Sequence, residues 1–226
     1  MSNRIIVVGG GAAGMMAAIV AKRKGAIVTL LERNDRVGKK LLTTGNGRCN
    51  YTNLNLSMDN YHGINSSFSE FGLTEFNQND TIDFFEKLGI SPANEDNGKV
   101  FPLSFQASSI LDVLRYELEY QGVELITNAY VVDISKKDKF IVKLKDGKVF
   151  TSDKVIMATG GMAMPASGSD GNGYSILKKL GHTTTDIFPG LVQLKLEGNI
   201  FKQINGVKFI GTAGIYHKDN LIAKDR

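Results

Sequence analysis

Arg4-Ile5-Ile6-Val7-Val8-Gly9-Gly10-Gly11-Ala12-Ala13-Gly14 opens the stretch that decides the fold, and the stretch runs on to Glu32. The apolar run Ile5–Val8 reads as a buried strand that ends on glycines. Met15 to Lys24 then follows a helical pattern closed by Gly25, and Ile27–Leu31 is a second apolar run ending at Glu32. Strand, glycine turn, helix, strand and acid in that order make the fold class α/β. Gly9, Gly11 and Gly14 fit the G-x-G-x-x-G spacing, and Ala18 extends it by one helical turn. In such a motif the first glycine makes the tight turn. The second lets the backbone approach a pyrophosphate, and the third lets helix and strand pack closely. The helix start offers unpaired N–H groups and a positive dipole end to the phosphates. Glu32 lies 18 residues beyond Gly14, near the ~20 expected of an acid that accepts hydrogen bonds from a ribose diol.

The chain has 226 residues, enough for one large or two small domains. No stretch approaches ~20 consecutive apolar residues, so no membrane span is expected. The first strand begins at Arg4, which leaves no room for a signal peptide. The single cysteine, Cys49, excludes an internal disulfide and fits a reducing cytoplasm. The net charge of +4 comes without a basic run interleaved with aromatics. That mild bias suits an anionic cofactor, and no nucleic-acid partner is expected. No metal site is assigned.

Beyond Glu32, residues 33–48 hold five basic residues (Arg33, Arg36, Lys39, Lys40, Arg48) against the single acid Asp35. The segment reads as a loop with a short helix near Lys39–Leu42, long enough to run along a bound dinucleotide. Residues 51–72 show no clear period. Asp80 looks like the N-cap of a helix over Thr81–Leu88, and Gly98–Pro102 reads as a turn or edge strand. A helix is expected over Ala107–Gln121. Strands are expected at Val123–Ile126, Val131–Ile134, Phe140–Leu144, Val149–Thr151 and Lys154–Thr159, with a hairpin turn at Asp146-Gly147. The glycine-rich loop Pro165–Tyr174 leads into a helix ending at Gly181. From Leu191 the pattern alternates, through Val192, Leu194 and Leu196, and Val207–Tyr216 is strand-like. A domain boundary is placed near Gly190, giving domains 1–190 and 191–226. The second is too short to stand alone, so the chain is expected to stop inside it. Marginal stability and weak cofactor binding are the expected consequences.

With these residues in view, the chain resembles the BaiN- or YhiN-like flavoproteins, known as NAD(P)/FAD-dependent oxidoreductases or the aminoacetone oxidase family. Four segments carry the likeness. They are Val7–Gly14 with Glu32-Arg33; Lys39–Leu42 running into Gly45–Asn50 and Thr52-Asn53; Ala158–Gly161; and Ser167–Tyr174 with Gly181-His182 and Pro189. The resemblance implies a Rossmann-like FAD-binding domain with a central parallel sheet and a β-meander, followed by an inserted β-rich domain. It sets Gly9, Gly11, Ala12, Ala13 and Gly14 on the pyrophosphate of FAD, Glu32 and Arg33 at the adenosine ribose, and the Val131 backbone at the adenine. Ala158, Thr159, Gly160 and Gly161 would flank the cofactor. Lys40 and Leu41, then Gly45, Gly47, Arg48 and Asn50, would approach the flavin end. Family members are longer and return to the first domain after the inserted one.

The resemblance implies an oxidoreductase of small organic molecules, with NAD(P)H as a transient candidate reductant because no second G-x-G-x-x-G is present. Arg48 either stabilises negative charge on a reduced flavin or pins its loop in a salt bridge. Cys49 is either redox-active or a small residue that a tight buried turn requires, and His182 is either a proton donor or a helix-end hydrogen-bonding group. Two other function classes stand beside the first: a non-catalytic fragment that binds FAD weakly, and an RNA-directed flavoprotein of the tRNA-modifying kind.

Overall fold

Alternation along the first strand places it at the centre of two cores. In the computed structural model, which describes residues 2–192, 197–204, 206–207 and 211–225, β1 (Arg4–Val8) leads through α1 (Ala12–Arg23) to β2 (Ile27–Leu31). Val7 of β1, with Val28 and Leu30 of β2, joins a core with Met15, Ala18 and Ile19 of α1. Ile6, Val8 and Leu31 point the other way into a second core. Both faces of the sheet are therefore covered, as a parallel sheet requires.

The chain then runs through β3 (Thr52–Asn53), α2 (Glu70–Glu75), α3 (Gln78–Lys87), β4 (Pro92–Asn94), β5 (Lys99–Pro102) and α4 (Ala107–Tyr120). β6 (Glu124–Ile126), β7 (Val131–Lys136), β8 (Phe140–Leu144), β9 (Val149–Ser152), β10 (Lys154–Met157) and α5 (Asn172–Lys179) follow. The parallel sheet has the order β10-β1-β2-β6, with Val7 opposite both Leu30 and Ile156. α1, α3 and α4 contribute to the first core. The antiparallel meander β7-β8-β9 and Ile176 of α5 build the second.

Two local expectations are corrected. The helix read as Thr81–Leu88 with an Asp80 cap starts earlier, at Gln78, because Asn77 caps it. The Asn77 side chain accepts from the Asn79 and Asp80 N–H groups, and Asp80 accepts from the Asn77 N–H, a capping box. Lys99–Pro102, read as a turn or edge, is the middle strand of the small sheet β3-β5-β4. Its partners contribute only two and three residues, too short to announce themselves in a sequence.

Contacts divide the chain into Met1–Asp186 and Ile187–Arg226, four residues short of Gly190. The second unit contains α6 (Ile200–Gln203) and the antiparallel pair β11 (Ala213–His217) and β12 (Asn220–Asp225), with a bulge between Ile215 and Tyr216. Leu194 and Leu196 of the expected alternation lie outside the described residues.

Candidate functional site

The turn from β1 into α1 is held by groups that leave no room for side chains except at one place. Gly9 has φ +105°, and a Cβ on it would stand 2.5 Å from the Ala158 carbonyl oxygen. A Cβ on Gly14 would collide with the Gly9 carbonyl oxygen. Gly11 differs: its φ is −76°, and a Cβ there would meet nothing within 4 Å. The first helical bond of α1 runs from the Met15 N–H to the Gly11 oxygen. The N–H groups of Ala12, Ala13 and Gly14 therefore have no intrahelical acceptor. No side chain caps this end, and no acid stands in its first turn. Lys22 and Arg23 sit at the other end, in accord with the helix dipole.

Glu32 closes β2 and is 6% exposed. Its Oε2 accepts from the Gly10 N–H at 2.7 Å. Its Oε1 accepts from the Asn34 backbone N–H at 2.8 Å and from Asn34 Nδ2 at 2.7 Å. A carboxylate accepts about four hydrogen bonds, so capacity for one more remains, on Oε2. The acid thus ties the glycine turn to the end of β2. Removing it strands the Gly10 N–H, at about 1–3 kcal/mol for a buried donor. Glu32→Ala, expected from the motif to weaken FAD more than the fold, is now expected to lower the melting temperature of the ligand-free protein as well. Thermal melting with and without FAD checks this.

Arg33 and Asn34 fasten the loop before α5. Arg33 Nη1 lies 2.7 Å from Asp170 Oδ2, Asn34 Nδ2 donates to the Ser167 oxygen at 3.1 Å, and the guanidinium stands 4.7 Å over the Tyr130 ring. The Arg33 hydrogen bond holds the Asp170 carboxyl below its ordinary range. Asn172 Nδ2 donates to the Val131 oxygen at 3.0 Å.

The basic loop is pinned at its start by the Gly38 N–H donating to the Gly10 oxygen. Lys39 pairs with Asp35 at 2.7 Å, whereas Lys40 is exposed beside the cleft. The expected short helix is a 3-10 segment over Leu41–Gly47 that turns left-handed at Gly45 and Asn46. Arg48 Nη1 lies 2.6 Å from Glu95 Oε1, and its guanidinium sits 4.2 Å over Phe101. Arg48→Ala is therefore expected to cost the protein about 1 kcal/mol through the lost pair and ring contact, with FAD affinity unchanged. Melting and FAD titration of the variant check both halves. Cys49 is buried with φ +60°, and burial pushes its thiol up. His182 is exposed, and its backbone N–H closes the last turn of α5 on the Leu177 oxygen.

These elements enclose a cleft of about 810 Å³. Gly9, Gly11, Ala12, Ala13, Glu32 and Arg33 line one part of it. Lys40, Leu41 and Asn50 of the basic loop line it as well, as do Val131 and the Ala158–Gly160 segment. Gly14, Gly45, Gly47, Arg48 and Gly161 are not in its walls. Gly14 serves the packing of the turn instead. The sequence did not point to an apolar lobe formed by Tyr51, Phe76, Phe85, Ile110 and Leu114, which also belongs to the cleft. Tyr51 and Phe76 come from a stretch without periodicity, and the other three read as helix core. Among the described residues no group of three His, Cys, Asp or Glu could hold a metal, and no helix is long and apolar enough to cross a membrane.

A parallel sheet whose first strand turns over glycines into an uncapped helix, with a buried carboxylate closing the second strand, defines a Rossmann-like dinucleotide-binding protein. The family described as the HI0933-like protein Rossmann domain matches residues 3–214, and the chain belongs to that family. The resemblance to BaiN- or YhiN-like flavoproteins drawn from its motifs therefore holds. The chain is 41% identical over 183 residues to a 3-dehydro-bile acid delta(4,6)-reductase of Clostridium scindens, covering 81% of this chain and 44% of that protein. It is 29% identical over 200 residues to a ribosomal RNA dihydrouridine synthase of Escherichia coli, covering 88% of this chain and 50% of that one. The chain thus spans about half the length of these relatives. Among solved structures, an open flavocytochrome c3 fumarate reductase superposes with a TM-score of 0.55 at 21% identity, over 79% of this chain and 40% of that one. Thermovibrio ammonificans THI4 gives a TM-score of 0.50 at 16% identity, over 80% of this chain and 62% of that one. Both share the fold.

Proposed function

We propose that the cleft binds FAD and that the chain is the cofactor-binding part of an oxidoreductase acting on a small organic substrate. The observation that carries this is the uncapped start of α1 beside the open space at Gly11. Backbone N–H groups there suit a pyrophosphate, which no side chain blocks. Ala12 and Ala13 would donate to the phosphates, with Lys40 as a nearby cation. Glu32 would accept from the ribose with the capacity it keeps, and Val131 would offer backbone to the adenine. Ala158, Thr159 and Gly160 would flank the cofactor. A bound flavin supplies hydride transfer, while the chain binds it, orients it and keeps water from it.

Reduction is the favoured direction, because the 41% identical relative is named as a reductase. NAD(P)H is the proposed transient reductant. The test is to load the purified chain with FAD, add NADH or NADPH without oxygen, and follow bleaching of the flavin absorbance. Bleaching supports the reading. An FAD-loaded chain that neither nucleotide bleaches sinks the reductant assignment. A second reading, action on RNA, rests on the two relatives named as ribosomal RNA dihydrouridine synthases. Saturable binding of ribosomal RNA fragments at physiological salt would favour it. The net charge of +4 argues for weak, salt-sensitive association instead.

A further inference from the structure

Between the cleft-wall residues Asn50 and Tyr51 on one side and Phe76 on the other, the chain runs out into a strap, residues 56–75. None of its residues is buried. Ile64 is 92% exposed, Phe68 85% and Phe71 75%. Its hydrogen bonds are local. Ser57 and Asn60 cap a 3-10 turn over Met58–Asn60, Ser69 Oγ donates to the Ser66 oxygen, and the Phe76 N–H donates to the Gly72 oxygen. Among the described residues, no hydrogen bond or ion pair ties residues 56–75 to anything beyond Phe76 or before Leu56. The flanks, by contrast, are fixed. The Leu54 N–H donates to the Gly98 oxygen at 2.8 Å, and Phe76 packs edge-on against Phe84, just ahead of the Asn77 capping box. A long loop with so few ties opens at little cost, and the moving covers of binding sites are drawn from such segments.

The flanks also decide what the strap can cover. Both stand in the cleft wall, so the strap is hinged on the rim of the apolar lobe. Phe71 lies in α2, five residues before Phe76, which is about 8 Å along a helix. A swing about Phe76 therefore carries the Phe71 ring onto the lobe. Phe68, three residues earlier, sits near the same face. The strap contains Asp59, Glu70 and Glu75 but no lysine or arginine. That charge disfavours a nucleic acid or an anionic membrane as the partner of the two rings. It suits the cleft rim, where Lys40 is exposed.

We propose that residues 56–75 close over the apolar lobe when an apolar ring system fills it, with Phe68 and Phe71 packing on the bound ring and excluding water. This rests on the reading of the cleft as a ligand site and gives that site a moving wall. The ring is that of the flavin or that of the substrate, since the walls Phe76, Phe85, Ile110 and Leu114 suit either.

Amide hydrogen exchange, read by mass spectrometry, tests this on the free chain, with saturating FAD, and with 4-androstene-3,17-dione (an apolar ring ketone) in the presence and absence of FAD. Calorimetry on the same samples measures binding. Residues 56–75 should exchange fast in the free chain and at least about tenfold more slowly in a bound form. Slowing with FAD alone assigns the covered ring to the flavin, and slowing only with the ketone assigns it to the substrate. Unchanged exchange in every bound form overturns the strap and leaves the FAD reading standing. Slowing by the ketone in a chain that binds no FAD keeps the strap and sinks the cofactor reading. Binding of neither compound sinks both. Slow exchange in the free chain that depends on protein concentration would give the rings to a second copy and also overturn the proposal. The double variant Phe68→Ser/Phe71→Ser supplies the second measurement. Serine matches phenylalanine in helix propensity, so the ligand-free variant should melt within about 2 °C of the wild type. It should lose the slowing and release the bound compound at least about tenfold faster. A clearly lower melting temperature, which would mean that the rings are already packed, overturns the proposal, as does release at the wild-type rate.

Discussion

Gly11→Val is expected to abolish FAD binding while the protein remains folded. At φ −76° any residue is comfortable, and a Cβ at this position meets nothing within 4 Å. The added β-carbon therefore strains nothing in the ligand-free protein. Valine is a poorer helix N-cap than glycine, at a cost of roughly 1 kcal/mol. For a chain of this size that is a fall of about 2–4 °C in melting temperature. Ligand binding is a different matter. The space beside Gly11 and the free N–H groups of Ala12 and Ala13 is where a pyrophosphate would lie, and three added carbons would fill it. A loss of at least about 100-fold in FAD affinity is expected, which is about 2.7 kcal/mol. Melting and equilibrium titration on the same preparation measure both effects. Normal flavin content in the variant would remove the turn from the cofactor site.

Gly14→Val should do the opposite. A Cβ there runs into the Gly9 carbonyl oxygen, and Ala158 Cβ stands 3.3 Å away. Neither neighbour can swing aside, because Gly9 is tied by its N–H to the Leu31 oxygen and Ala158 by its N–H to the Val8 oxygen, each at 2.8 Å. Overpacking against backbone costs roughly 3 kcal/mol or more. The melting temperature is expected to fall by roughly 6–12 °C, with cofactor binding lost as a consequence of the misplaced turn. Two glycines three residues apart thus separate a binding defect from a folding defect. A Gly14→Val protein as stable as the wild type would mean that helix and strand are not packed as described.

The strand–glycine–helix–strand–acid unit was legible because every signal in it is local. The apolar run of β1, the glycine spacing and the acid after β2 lie within some thirty residues. The strands that flank this unit were also legible as strands. Their pairing was not, since β2 meets β6 across nearly a hundred residues and β1 meets β10 across about 150. Glu32 shows the same limit within the site. Its distance from Gly14 marked it as a ligand-facing acid, but only the folded turn shows that Gly10 and Asn34 already occupy most of it. For Arg48 the sequence left two roles open, a charge facing the cofactor or a salt bridge pinning the loop, and only the folded chain brings up Glu95, 47 residues away, to take its guanidinium. Phe68 and Phe71 gave no sequence signal, because an aromatic in a non-periodic stretch is indistinguishable from packing until its ring is seen to be exposed.

Titration of the purified chain with FAD, followed by flavin absorbance and fluorescence, tests most directly whether this cleft is a cofactor site. The expected result is saturable binding of one FAD per chain, with the flavin spectrum shifted from that of free FAD and the binding lost in Gly11→Val. Absence of saturable binding, or equal binding by Gly11→Val, would contradict it.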